Sequence, residues 1–200
     1  MKKVKIDLKY VVFAVLLIIV YGIVFFVPGS SEKFSLDPSV EGDYWRFGSY
    51  QFAHLNWAHL IQNMVTLALV SFIAIELKTQ FKFFSVNYLL AGLVAILPLW
   101  IISPFVALGA SAAIFSSFGY VSPEAKQFRV KVWLVVLVIL GFIFYKPVFI
   151  LIGSGEGMSY ALKQSLAHFS GFVFGLAGFY VFQRVDKLLL RRKQHVLRRI

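Results

Sequence analysis

The chain predicts an all-α polytopic membrane protein, a six-transmembrane-helix bundle with both termini cytoplasmic. Three observations carry this. The 200 residues are 60% hydrophobic and only 14% charged, with a mean hydropathy of +0.80, whereas a soluble domain has about 25% charged residues. Apolar runs close to the roughly 20 residues that a spanning helix needs recur along the chain. The basic residues between those runs fall on alternate connections, as they do when one set of loops faces the cytoplasm.

The first run, 10–27, is uncharged and follows a basic start, MKKVKIDLK. It is longer than the apolar region of a signal peptide and is not followed by a small-residue cleavage pattern, so it reads as span one. Residues 28–56 form a long polar loop. Spans two and three are expected over 57–75 and 83–102. The fourth, over 107–121, is shorter and is ended by Ser122-Pro123. The fifth runs over 132–145, where Lys146-Pro147 interrupts it, because proline breaks helices and lysine avoids the bilayer centre. Residues 148–160, VFILIGSGEGMSY, make a Gly-rich, cap-like connector. The sixth span covers 161–182, inside a membrane domain of 10–182. The cytoplasmic tails are 1–9 and a basic, amphipathic 183–200.

Six spans put both termini on one side, and the charges agree. The N-tail, the loops after spans two and four, and the C-tail hold sixteen of the twenty Lys and Arg residues. The opposite side keeps Lys33, Arg46, Lys146 and Lys163, together with five of the nine acids. The net charge of +11 would suggest nucleic acid for a soluble chain. Here it reports cytoplasmic loops and attraction to anionic lipid, so the bilayer rather than nucleic acid is the expected partner. The absence of cysteine excludes disulfides, thiolate metal sites and a cysteine nucleophile.

Polar residues inside a bilayer are costly, and each one suggests a function. Span two carries His59 and Asn63, span four Ser111, Ser116 and Ser117, and span six His168 and Ser170. No carboxylate lies deep in any span, which removes the acid of a Ser-His-Asp triad. At 1.5 Å per residue from the outer ends of their spans, His59 lies about 3 Å deep, Ser111 about 6 Å, Asn63 about 9 Å and His168 about 10 Å. All four fall in the outer half of the bilayer, and His59 and Asn63 share one helix face.

Singly, each residue has a plainer reading. Ser111 suits close helix packing, as do Gly171 and Gly175 at small-xxx-small spacing. His168 suits a hydrogen bond to backbone. The histidines at 54, 59 and 168 suit a metal, although zinc usually takes tighter ligand spacing or a carboxylate. Together they suit nucleophilic catalysis. A serine hydroxyl needs a base, for which His168 is placed. The oxyanion then needs preorganised donors, available from His59, Asn63 and the free N–H groups at the start of the fourth span.

At these residues the chain resembles the rhomboid family of intramembrane serine proteases. Trp45-Arg46 matches the family's first-loop Trp-Arg pair, and His54 the histidine before span two. His59 and Asn63 match the oxyanion-side histidine and asparagine. The stretch Gly109-Ala110-Ser111-Ala112 resembles G-x-S-G, and Gly119-Tyr120 the Gly-Tyr pair that closes that helix. Ala167-His168 with Gly171 and Gly175 resembles A-H-x-x-G-x-x-x-G of the last core helix. The resemblance runs in order from Tyr44 to about Gly178.

It implies a rhomboid-like six-helix bundle with a water-filled outer cavity, a Ser111–His168 dyad, and an oxyanion site formed by His59, Asn63 and the Ser111 N–H. It implies transmembrane protein substrates and no cofactor or metal, and it specifies no oligomeric state. Two positions depart from the family pattern. Ala112 stands where glycine is usual, so its methyl is expected to narrow the oxyanion pocket or the substrate path. Phe115 stands where many members carry tyrosine, and its ring is expected to pack on His168. A catalytically silent, client-binding relative is the alternative reading, with a small transporter or metal-binding membrane protein behind it. The compact layout, without an added soluble domain, is expected of a prokaryotic cell membrane.

Overall fold

Residues 7–152 and 157–197 are described in a computed structural model. Asp7 opens the first helix, α1 (Leu8–Phe25), by accepting the Lys9 N–H. Most of α1 is apolar on all sides, as suits a lipid-facing span. Only Tyr10, Ala14 and Tyr21 are buried in it, and they form one stripe against its neighbours. The Tyr10 hydroxyl donates to the Thr79 carbonyl at 2.8 Å, and the Tyr21 and Tyr88 hydroxyls are hydrogen-bonded.

The first loop holds two short helices, α2 (Ser30–Phe34) and α3 (Arg46–Ser49), and a 3₁₀ turn, Tyr50–Phe52. Asn56 caps α4 (Trp57–Glu76) by accepting the His59 N–H at 2.9 Å. The buried residues of α4 (Leu60, Asn63, Leu67, Val70, Ser71 and Ala74) recur at helical spacing and face the bundle centre. The expected third span is two helices, α5 (Phe81–Val94) and α6 (Leu97–Ile102). The break falls just before Pro98, which sits in the first turn of α6, where its missing N–H is tolerated.

The fourth helix expected from sequence begins later. Residues 107–109 are outside it, because Ala107 forms an isolated antiparallel bridge with Leu36 of the first loop. The helix α7 (Ser111–Val121) has 11 residues, about 16 Å, and it is the most enclosed helix of the bundle. After a 3₁₀ segment, Ser122–Phe128, α8 (Val132–Ile152) contains Pro147. The expected stop at Lys146-Pro147 is therefore corrected. Proline at 147 leaves the Ile143 carbonyl without its helical donor, and the Ser165 hydroxyl of α9 supplies one at 2.6 Å.

The last helix, α9 (Met158–Leu197), has 40 residues, about 60 Å, twice the ~30 Å hydrocarbon core. The expected span six and the basic segment after it thus form one unbroken helix. No proline or glycine follows Gly178, and the helix continues. Of the expected connector 148–160, residues 148–152 belong to α8 and 158–160 to α9, while 153–156 lie outside the described residues, as do 1–6 and 198–200 of the tails.

Among the described residues, five helical stretches are long and apolar enough to cross a membrane: Leu8–Phe25, Trp57–Glu76, Phe81–Ile102, Val132–Ile152 and Met158–Arg191. They surround α7, whose closest neighbour is α9. A Cβ added at Gly171 would fall on the Ala112 carbonyl oxygen, one at Gly175 on that of Ser116, and one at Gly119 on that of Phe172. These glycines let the two backbones touch, the small-residue packing that membrane helices favour.

Candidate active site

Ser111 is the first residue of α7, and no side chain caps that helix end. The first intrahelical bond comes from the Ile114 N–H to Ala110. The amides of Ser111, Ala112 and Ala113 are therefore free of backbone partners, at the positive end of the helix dipole. The preceding turn is set by Gly109, whose φ of +100° is reached readily only by glycine. Its N–H donates to the Tyr50 carbonyl at 2.9 Å. With the Leu36–Ala107 bridge, this bond fastens the approach to Ser111 onto the first loop.

His59 and Asn63 reach the same turn from α4. A Cβ built on Gly109 would lie 2.7 Å from His59 Nε2 and 3.2 Å from Asn63 Nδ2. His59 Nδ1 accepts the Leu55 N–H at 3.5 Å, which leaves the ring proton of the neutral imidazole on Nε2, the nitrogen facing Gly109. Asn63 is buried, and its Nδ2 has no hydrogen-bond partner. An unpaired buried amide is costly, and such a group in a folded protein calls for an explanation. Two donors thus converge two residues before Ser111, the start of α7.

His168 arrives on α9. Its ring stacks on Phe115 with centroids 4.5 Å apart and planes 22° apart, as the sequence leads one to expect of Phe115. Ser111 and His168 line one cavity of about 890 Å³, together with His59, Asn63 and Phe115. Among the described residues, Ser111 Oγ makes no hydrogen bond to His168, and no carboxylate lines the cavity. Ala112 is buried in a cluster with Leu36, Tyr50, Ile96, Ala107 and Ala167, and it lines a second, small cavity of about 50 Å³ that also touches Ser111 and His168.

The loop residues brace this centre from outside it. Arg46 donates to the Glu32 and Ser35 carbonyls at 2.8 and 3.0 Å and to Asp43 at 3.0 Å. The Trp45 ring lies 5.4 Å below its guanidinium and meets Phe34 edge-on. His54 Nδ1 donates to the Phe52 carbonyl at 3.1 Å, and its ring lies 5.2 Å from that of His59. Burial, helped by His59 and opposed by the Phe52 carbonyl, pushes the His54 pKa down from 6.5 to about 4, so it is neutral at pH 7. Among the described residues, no three His, Asp or Glu side chains are grouped as a metal site.

Sequence reasoning passed over Asn87 of α5. It is fully buried and donates to Ser116 Oγ at 2.8 Å, which ties α5 to α7 beneath the site. A lone asparagine in an apolar run was the available signal. Ser116 of α7 is thus a hydrogen-bond acceptor here.

Apolar helices long enough to span a bilayer, around a buried polar centre, define an integral multi-pass membrane protein. Residues 41–184 match the Rhomboid domain, so the chain belongs to the rhomboid family, which in general contains intramembrane serine proteases. A comparison with curated proteins gives no match.

Proposed function

We propose that this protein is an intramembrane serine endopeptidase that hydrolyses peptide bonds in or beside transmembrane segments of other membrane proteins. Ser111 Oγ attacks the peptide carbonyl carbon while His168 takes the hydroxyl proton. The resulting oxyanion is held by His59 Nε2–H, Asn63 Nδ2–H and the Ser111 N–H. The intermediate collapses to an acyl-enzyme as His168 gives its proton to the departing amine. Water then adds to the ester, with His168 again the base, and releases the acid and free Ser111. Stacking on Phe115 orients His168 in the place of a triad carboxylate.

One observation carries this reading. The buried, unpartnered Asn63 amide points at the Gly109 turn that introduces Ser111. Such a donor is wasted in a purely structural site, whereas an oxyanion would satisfy it. The reading counts α7 as a sixth segment within the bundle. By the distribution of basic residues, it places both termini in the cytoplasm and the cavity mouth on the outer side. The test is cleavage of a transmembrane peptide in proteoliposomes. The wild type should cleave, and Ser111→Ala and His168→Ala should not, while both remain folded.

The lack of a Ser111–His168 hydrogen bond among the described residues favours a second reading, a silent client-binding relative. Catalytic hydrogen bonds often tighten only when substrate is bound, so the hydrolase reading is preferred.

A further inference from the structure

The 890 Å³ cavity runs between α4 and α8, from Ser111 at one end to Leu77 and Ala125 at the other. Its walls are mostly apolar. Among the described residues, Lys146 is the only lysine, arginine or carboxylate side chain that lines it. Lys146 is on α8, and its Nζ donates to Gln164 Oε1 of α9 at 3.3 Å. Gln164 precedes His168 by one helical turn on the same face, and it lines both the large cavity and the small one beside Ser111. Lys146 Nζ is thus tied to a residue that stands about one turn, or 6 Å of helix rise, from His168 on α9. That distance equals about two residues of extended chain.

An ammonium beside apolar walls, where the effective dielectric is below that of bulk water, attracts an anion more strongly than it would in bulk water. We propose that Lys146, held by Gln164, is a specificity residue that selects transmembrane segments carrying an Asp or Glu within two residues of the bond placed over Ser111. The inference rests on the hydrolase reading for the position of that bond, but not for the recognition itself. A lipid phosphate is the competing anion. The substrate is favoured because Lys146 is tied to Gln164 and faces the same cavity as Ser111 rather than α8's lipid side alone.

The experiment uses the full chain in vesicles of neutral phosphatidylcholine. Transmembrane peptides carry one Asp, or Asn in its place, at each of the two positions on either side of the cleaved bond. Wild-type protein should cleave the best-placed Asp peptide about 2- to 5-fold faster than its Asn twin, as expected of one partly exposed ion pair. Lys146→Gln should bring that ratio to about one, and Lys146→Glu should invert it. The same ratios are read as binding to Ser111→Ala protein by fluorescence anisotropy, so recognition is measured even if no peptide is cut. Absence of cleavage with a retained, Lys146-dependent Asp preference in binding would overturn the hydrolase reading alone. An Asp/Asn ratio of one in the wild type, or one unchanged by Lys146→Gln, overturns the present proposal. So does a preference that disappears when anionic phosphatidylglycerol is added, which would assign Lys146 to lipid.

Discussion

His168 lies nearly flat against Phe115, with ring centroids 4.5 Å apart. Phe115 is one turn beyond Ser111 on α7, so the helix that carries the proposed nucleophile also sets the plane of the proposed base. An aromatic pair of this kind contributes about 0.5–1.5 kcal/mol. Phe115→Ala should therefore lower kcat about 10-fold with little change in KM, and Phe115→Tyr should restore it. Steady-state kinetics on one transmembrane peptide checks this. A fall confined to thermal stability would mean that Phe115 only packs.

Asn63 offers a separation of activity from stability. Loss of one oxyanion donor costs about 10²-fold in kcat. Its Nδ2 has no partner in the folded protein, so Asn63→Ala removes an uncompensated buried group, and the melting temperature should not fall. Kinetics and thermal unfolding on the same preparation test both halves.

Ser165 and Pro147 should be energetically coupled. Ser165→Ala leaves the Ile143 carbonyl with neither its helical donor nor the hydroxyl that replaces it, at a cost of about 1–3 kcal/mol. In a Pro147→Ala background the new backbone N–H can reach Ile143, and the same substitution should cost less than half as much. A double-mutant cycle by denaturant unfolding in detergent gives the coupling directly.

His54 makes the fold sensitive to mild acid. Its folded-state pKa of about 4 lies below the ordinary 6.5 because the ring is buried, with His59 adding to the shift. The unfolded chain therefore takes up the proton first. The contribution to stability is complete above pH 6.5 and is lost as the pH falls towards 4. Unfolding midpoints between pH 7 and 4 should decline more steeply for the wild type than for His54→Gln.

Much of this architecture is legible before any coordinates. Uncharged runs near 20 residues mark the long helices because a bilayer sets their length. His59, Asn63, Ser111 and His168 stand out because polar groups are scarce in such runs. What escapes local reading depends on distant partners. Pro147 stays helical because of a hydroxyl 18 residues later. The start of α7 is fixed at Ser111 by Leu36 and Tyr50, contributed by the first loop. Asn87 gains meaning only opposite Ser116. The methyl of Ala112 packs in the cluster around Tyr50 and Ile96 and lines the small cavity shared with His59, Gly109, Ser111 and His168, neighbours contributed by other parts of the chain.

Labelling with a fluorophosphonate followed by peptide mapping tests the central claim most directly, because it needs no knowledge of the substrate. An activated serine predicts a single adduct on Ser111 in the wild type and its loss in His168→Ala. A wild-type protein that is folded yet unlabelled at Ser111, or labelled equally without His168, would contradict the dyad.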